Sequence, residues 1–210
     1  MVSRRPGYTL CVMDPLDPML ELVRSHVPGL RLVHKHEVRW MRLFGWVVRP
    51  LIPDFATRYT TVIGRVVYLP APPEELPRRE LAAMLAHELV HQLDQRRWGL
   101  LFYASYAWCL PMGRTFRAYW ERRAYAVDLM IVHEQGGPDA VERTAELLAD
   151  LFSGPGYFWM WAGKESARQF LRPTVESVLD GTLSQRAPYD AILAAWRQPT
   201  ASSHAEVPHG

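Results

Sequence analysis

The chain has 210 residues, 49% of them apolar and 22% charged, which is enough apolar content for one hydrophobic core and too much for wholesale disorder. A formal net charge of +2 at pH 7 is too small an excess to argue for nucleic acid, although 22 Arg stand against 2 Lys. Cys11 and Cys109 alone supply neither a disulfide framework nor a thiolate metal cage, so the expectation is a reducing, cytoplasmic setting.

The apolar stretch behind Arg4 and Arg5 is cut by Asp14, Pro15, Asp17 and Pro18 before it reaches signal-peptide length, so no export signal is expected. Residues 8–36 read as short apolar runs broken by Asp-Pro and Pro-Gly, with one short strand at Leu30–Lys35. From Trp40 to Ile52 the apolar positions Trp40, Leu43, Phe44, Val47, Val48 and Leu51 recur every three and four residues, which predicts an amphipathic helix facing the core. Residues 57–69 are rich in β-branched and aromatic side chains, with Gly64 as a turn or bulge, and predict one or two strands. Pro70–Pro77 is a proline-rich connector.

Residues 78–97 contain neither Gly nor Pro and are rich in Ala, Leu and Met, so they predict a long helix stopped by Gly99. The uncharged run Trp98–Gly113 is too short to span a bilayer and includes Pro111. Its aromatic part, 98–108, fits a cleft wall, a membrane-surface patch or plain core, and core is the expectation. Another helix is expected from Thr115 to about His133, ending at Gly136-Gly137, and a further one from Pro138 through Phe152. Two short helical stretches around 164–180 and a last helix around 188–197 follow, then a tail at 198–210. The fold class is therefore α+β and mostly helical: a small sheet packed on the 78–97 helix and a second helix, with additional C-terminal helices. One domain over 1–197 is expected, with its core at about 57–135 and a helical part at 138–197.

Within the best helix lies His87-Glu-Leu-Val-His91. Residues four apart share a helix face with Cβ atoms about 5–6 Å apart, so two imidazoles can converge on one ion. Glu88 sits beside them, placed to take a proton from metal-bound water rather than to bind the metal. A catalytic zinc usually takes a third protein ligand. Asp94 and Arg97 stand where a metzincin places its glycine and third histidine, which excludes that family. Asp94 lies two turns from His87, about 10.5 Å along the axis, too far to share the ion comfortably. The next carboxylates are Glu121, Asp128 and Glu134, all on the following helix or its end. His34-Lys-His36 resembles a second site by letter only.

Over roughly residues 57–130 the chain resembles the gluzincin metallopeptidases, particularly the small minigluzincin type, which carry this motif on one helix and a ligating Glu on the next. The resemblance implies a zinc-dependent peptidase in which His87, His91 and Glu121 bind Zn2+ and Glu88 is the general base. It also implies that a strand within 57–69 lines the cleft and pairs with an extended peptide. Gluzincins often place an Asp four residues after the ligating Glu. Tyr125 stands there, so Asp128 becomes the candidate hydrogen-bond partner of an imidazole. Glu121 and Asp128 are seven residues apart and cannot both reach one ion with equal ease, and Glu121 matches the family position. The expected partner is a peptide or protein substrate, with no nucleic acid. The alternatives are a catalytically idle scaffold for protein binding and a zinc hydrolase of a non-peptide amide. An oxyanion donor is left open among Tyr103, Tyr106, Tyr119, Tyr125, His133 and Tyr157.

Overall fold

A computed structural model describes residues 14–49, 57, 60–107, 116–155 and 159–198. The fold is α+β and mostly helical, with a small mixed sheet. Helix α1 spans Leu16–His26, where 8–36 had been expected to hold only a strand. Its two prolines explain the difference. Pro15 precedes the first turn and Pro18 lies within it, where N–H groups have no intrahelical partner to lose, and Asp14 Oδ1 accepts a bond from Leu16 N at 3.1 Å. Leu16, Met19 and Val23 are buried at helical spacing, so packing supplies what propensity does not.

Strands β1 (Arg31–His34), β2 (Thr61–Ile63) and β3 (Val66–Leu69) form a sheet in the order β1-β3-β2. β1 runs parallel to β3, with Arg31 opposite Val66, and β2 closes an antiparallel hairpin around Gly64, whose φ of 59° suits a residue without Cβ. β3 is paired on both sides, so β2 is the only edge strand within 57–69. Thr60, at its start, donates to Met84 Sδ at 2.9 Å, one turn ahead of His87.

Between β1 and β2 lies helix α2, Arg39–Val48. The expected apolar stripe faces outward: Trp40, Leu43, Phe44, Trp46 and Val47 are exposed, and among the described side chains of the helix only Met41 is buried. The expectation of a core-facing helix is thus corrected, because spacing defines a stripe without defining what covers it. Leu51 and Ile52, at the expected end of this helix, lie outside the described residues, as does the 199–210 part of the tail.

Helix α3 (Arg78–Trp98) runs through the centre of the core and ends at Gly99, whose φ of 53° breaks the helix while its N–H still bonds Gln95 O at 2.8 Å. Helix α4 (Leu100–Ala107) follows at once. Helix α5, Phe116–Ser153, bends at Gly137, where φ 68° and ψ −166° interrupt the helical path just before Pro138. That is the break expected from Gly136-Gly137. Helix α6 (Lys164–Leu179) continues through Pro173 as one element rather than two short stretches, and α7 (Tyr189–Arg197) closes the fold. Buried side chains from all of these except α2 and α4 join one hydrophobic cluster that also takes in β3. α3 and α5 each carry fully buried alanines, Ala82 and Ala86 on one and Ala118 and Ala124 on the other, which lets helix axes approach closely.

Candidate metal centre

The close packing of α3 on α5 brings residues from distant parts of the chain to one point. His87 and His91, one turn apart on α3, meet Glu121 of α5, and one donor atom from each lies within 4.8 Å of the others. Glu121 Oε2 is 3.9 Å from His87 Nε2 and 3.7 Å from His91 Nε2. Bonds of about 2.0–2.1 Å at tetrahedral angles put donor atoms roughly 3.4 Å apart, so this spacing is near what one ion requires. The group can therefore hold a metal ion. Its side chains are largely enclosed: Glu121 is 3% exposed and His91 7%, while His87 keeps 14%, so the approach from solvent is on the His87 side.

Each donor except one is oriented by a partner. His87 Nδ1 and Asp128 Oδ2 are 2.6 Å apart, which leaves Nε2 to face the ion position. The Tyr106 hydroxyl donates to Glu121 Oε1 at 2.5 Å, and Arg117 Nε stands 3.7 Å from the same oxygen, so Oε2 is the atom left for the imidazoles. His91 is held by shape instead. Its ring lies edge-on to Phe102 and Tyr106, and its buried Nδ1 has no hydrogen-bond partner among the described residues.

The electrostatics favour a cation. Burial works against a charge on His87, yet Asp128, then Glu88 and Glu121, raise its pKa to about 9. For Glu121 burial alone would raise the pKa, but His91, His87 and Arg117 hold the carboxyl down at about 2. Glu88 is pushed up, chiefly by burial, even though His91 and His87 pull it the other way. Three carboxylates around two imidazoles leave negative charge that a divalent ion offsets, and two nitrogens with one oxygen form a donor set that such an ion accepts.

The remaining candidates are placed elsewhere. Asp94 is buried against Arg123 Nε at 2.9 Å, an α3–α5 ion pair remote in role from the centre. Glu134 pairs with Arg197 of α7 at 2.7 Å. Tyr103 donates to Gln95 at 2.9 Å, Tyr119 packs on Trp161 and Phe170, and Tyr125 sets its ring edge-on to His87 with centroids 4.8 Å apart. Tyr157 falls outside the described residues. The run 98–108 is not plain core: Phe102 is buried and Tyr106 turns to the centre, but Trp98, Leu100, Leu101 and Tyr103 are exposed. His34 and His36 lie with ring centroids 5.1 Å apart and planes tilted by 57°, and among the described residues the only metal-competent group is His87, His91 and Glu121.

Two residues were not singled out from sequence. Lys35, between those two histidines, is 2% exposed; burial lowers its pKa to about 8, with Glu88 the charge that pulls back upward. Lys35 lies just past β1, in a short 3-10 turn over Lys35–Glu37, and nothing local signals that its side chain is enclosed. Tyr106 was one of six equivalent candidates, and nothing local marked it as the partner of Glu121. No known family model, curated protein or solved structure matches the chain.

Proposed function

We propose that the chain is a zinc-dependent metallopeptidase in which His87, His91 and Glu121 hold the zinc and Glu88 is the general base. The observation that carries this reading is the convergence of the three donors on one point with a fourth, non-ligating carboxylate beside them. The same donor set also serves non-haem iron, but the half-buried Glu88 next to it is a proton acceptor, which hydrolysis needs. Zinc bound there would polarise a scissile carbonyl and lower the pKa of water.

The chain's own residues would do the rest. Glu88, its proton affinity raised by burial, accepts the proton of the attacking water and delivers it to the leaving amine. Asp128 orients His87, and Tyr106 orients Glu121, so that neither ligand has to reorganise during the reaction. An extended peptide is expected to pair with β2, the edge strand anchored next to Met84. Elemental analysis of the purified protein should give about one zinc per chain. In a peptide-library screen Glu88→Gln should keep the zinc and lose at least about a hundredfold in rate. Cleavage by this variant at the wild-type rate would remove Glu88 as the base, and a protein that binds no zinc would remove the reading itself.

A further inference from the structure

We propose that α2 is an interfacial helix that docks the protein flat on an anionic membrane surface. Trp40, Leu43, Phe44 and Val47 stand at positions i, i+3, i+4 and i+7, on one side of the helix, and are 46%, 63%, 45% and 58% exposed. Trp46, on one edge of that stripe, is 72% exposed, whereas Met41, on the other edge, is 2% exposed. Single exposed apolar side chains are ordinary. Five large ones in a helix of ten residues, contiguous and including two tryptophans, form a patch that soluble surfaces avoid.

Charge identifies the occupant. From Val38 to Pro53 the sequence has Arg39, Arg42 and Arg49 and no acidic residue. All three arginines are exposed, and none forms an ion pair among the described residues. At 100° per residue Arg39 lies beside Trp46 at the edge of the apolar stripe, whereas Arg42 and Arg49 fall on the face opposite it. An apolar face with tryptophans, backed by a polar face whose only charges are arginines, matches a helix lying at the boundary between acyl chains and anionic headgroups. Glu37, just before the helix, is the nearest acid upstream and is exposed.

A second copy is a poorer occupant, since it would set these arginines against their own counterparts with no carboxylate on the helix to pair them. A spanning arrangement is also excluded for α2: ten residues cover about 15 Å, half of a hydrocarbon core of about 30 Å. Among the described residues no helix is long and apolar enough to cross a membrane. The helix lies on the bilayer.

The test is vesicle flotation of the full-length protein with phosphatidylcholine alone and with phosphatidylcholine containing phosphatidylglycerol, reading neither metal content nor hydrolysis. Binding to the anionic vesicles should exceed binding to the neutral ones by about tenfold or more and fall steeply with added salt. The double variant Leu43→Glu and Trp46→Glu should lose binding at least about tenfold. Arg42→Ser with Arg49→Ser, which leaves the apolar stripe intact, should lose the anionic preference while circular dichroism stays unchanged, and it decides the matter should the glutamate variant misfold. Leu100→Ser with Leu101→Ser, at the most exposed apolar pair outside α2, should bind as the wild type does. The proposal is overturned if the wild type does not float, if the Leu100 and Leu101 variant is the one that detaches, or if the protein instead self-associates through α2 in sedimentation runs.

Discussion

The α3–α5 junction and α2 break opposite rules of burial. At the junction, His91, Asp94 and Glu121 are enclosed and ionisable; on α2, Trp46 and Leu43 are apolar and open to solvent. The junction can bury its charges because almost every one has a partner: Asp128 for His87, Tyr106 for Glu121, Arg123 for Asp94. Uncompensated burial would cost several kcal/mol per group. The stripe on α2 is largely open to solvent, with Trp40 set edge-on to Tyr68 at a centroid distance of 5.4 Å. Departures of this kind tend to mark places where stability has been given up for function, and in the readings proposed above the two regions differ in what would complete them: a cation at the junction, an anionic membrane surface at α2.

The largest effect expected at the junction is on metal affinity. Glu121→Ala removes a donor and leaves two imidazoles, so affinity measured by chelator competition should fall more than a hundredfold, on the order of 3 kcal/mol or more. Asp128→Ala removes only the bond to His87 Nδ1 and should cost about 10–100-fold. Asp94→Ala and Glu134→Ala should leave affinity unchanged, because both carboxylates are committed to arginines, Asp94 to Arg123 and Glu134 to Arg197. Asp128→Ala proving weaker than Glu121→Ala would reverse the two roles.

How much of this was legible in the sequence follows from which interactions are local. The i, i+4 spacing of His87 and His91, the Gly99 stop, strand-forming residues around a turn or bulge at Gly64 and the break at Gly136-Gly137 depend on residues close together in the chain, and they could be read directly; that the strands form a hairpin could not. That Glu121 joins the histidines was readable only with the help of a family resemblance, since helix packing brings it there. α1 differs from the expectation because Pro15 and Pro18 look like breaks unless the first turn is known to tolerate them, whereas α6, expected as two short stretches, runs as one helix through an interior proline, Pro173. The direction of α2, the burial of Lys35 and the bond from Tyr106 to Glu121 are tertiary facts with no local signature. Periodicity told which residues share a side; only packing told which side is inside.

Lys35 gives a second, smaller test of buried charge. Its folded pKa of about 8 lies below the ordinary 10.5, so between those values the unfolded chain holds the proton that the folded chain has shed. The unfolded state then binds more protons, and the contribution of this group to stability rises with pH across that window. Below about pH 8 both states are protonated and the folded state holds a buried ammonium, its cost offset in part by Glu88. Lys35→Met, similar in volume, should therefore be more stable than the wild type at pH 7, by roughly 1–3 kcal/mol, with the advantage shrinking toward pH 10. Urea unfolding at pH 7 and pH 10 measures both. A variant less stable at pH 7, with the same pH slope as the wild type, would mean that Glu88 compensates the buried amine in full.

The smallest effect is expected on α2, and its smallness is the informative part. Leu89 of α3 is 1% exposed and belongs to the core cluster, whereas Leu43 of α2 is 63% exposed and belongs to none. Removing the buried side chain leaves a cavity, so Leu89→Ala should cost about 2–5 kcal/mol. Removing the exposed one takes away surface that the folded chain leaves in water anyway, and Ala is the better helix former, so Leu43→Ala should change stability by no more than about 0.5 kcal/mol in detergent-free buffer. Thermal or urea unfolding of the two variants side by side gives the comparison. A loss at Leu43 approaching that at Leu89 would show that the stripe is covered within the protein in solution, and the contrast between a helix completed from outside and a junction completed by an ion would then no longer hold.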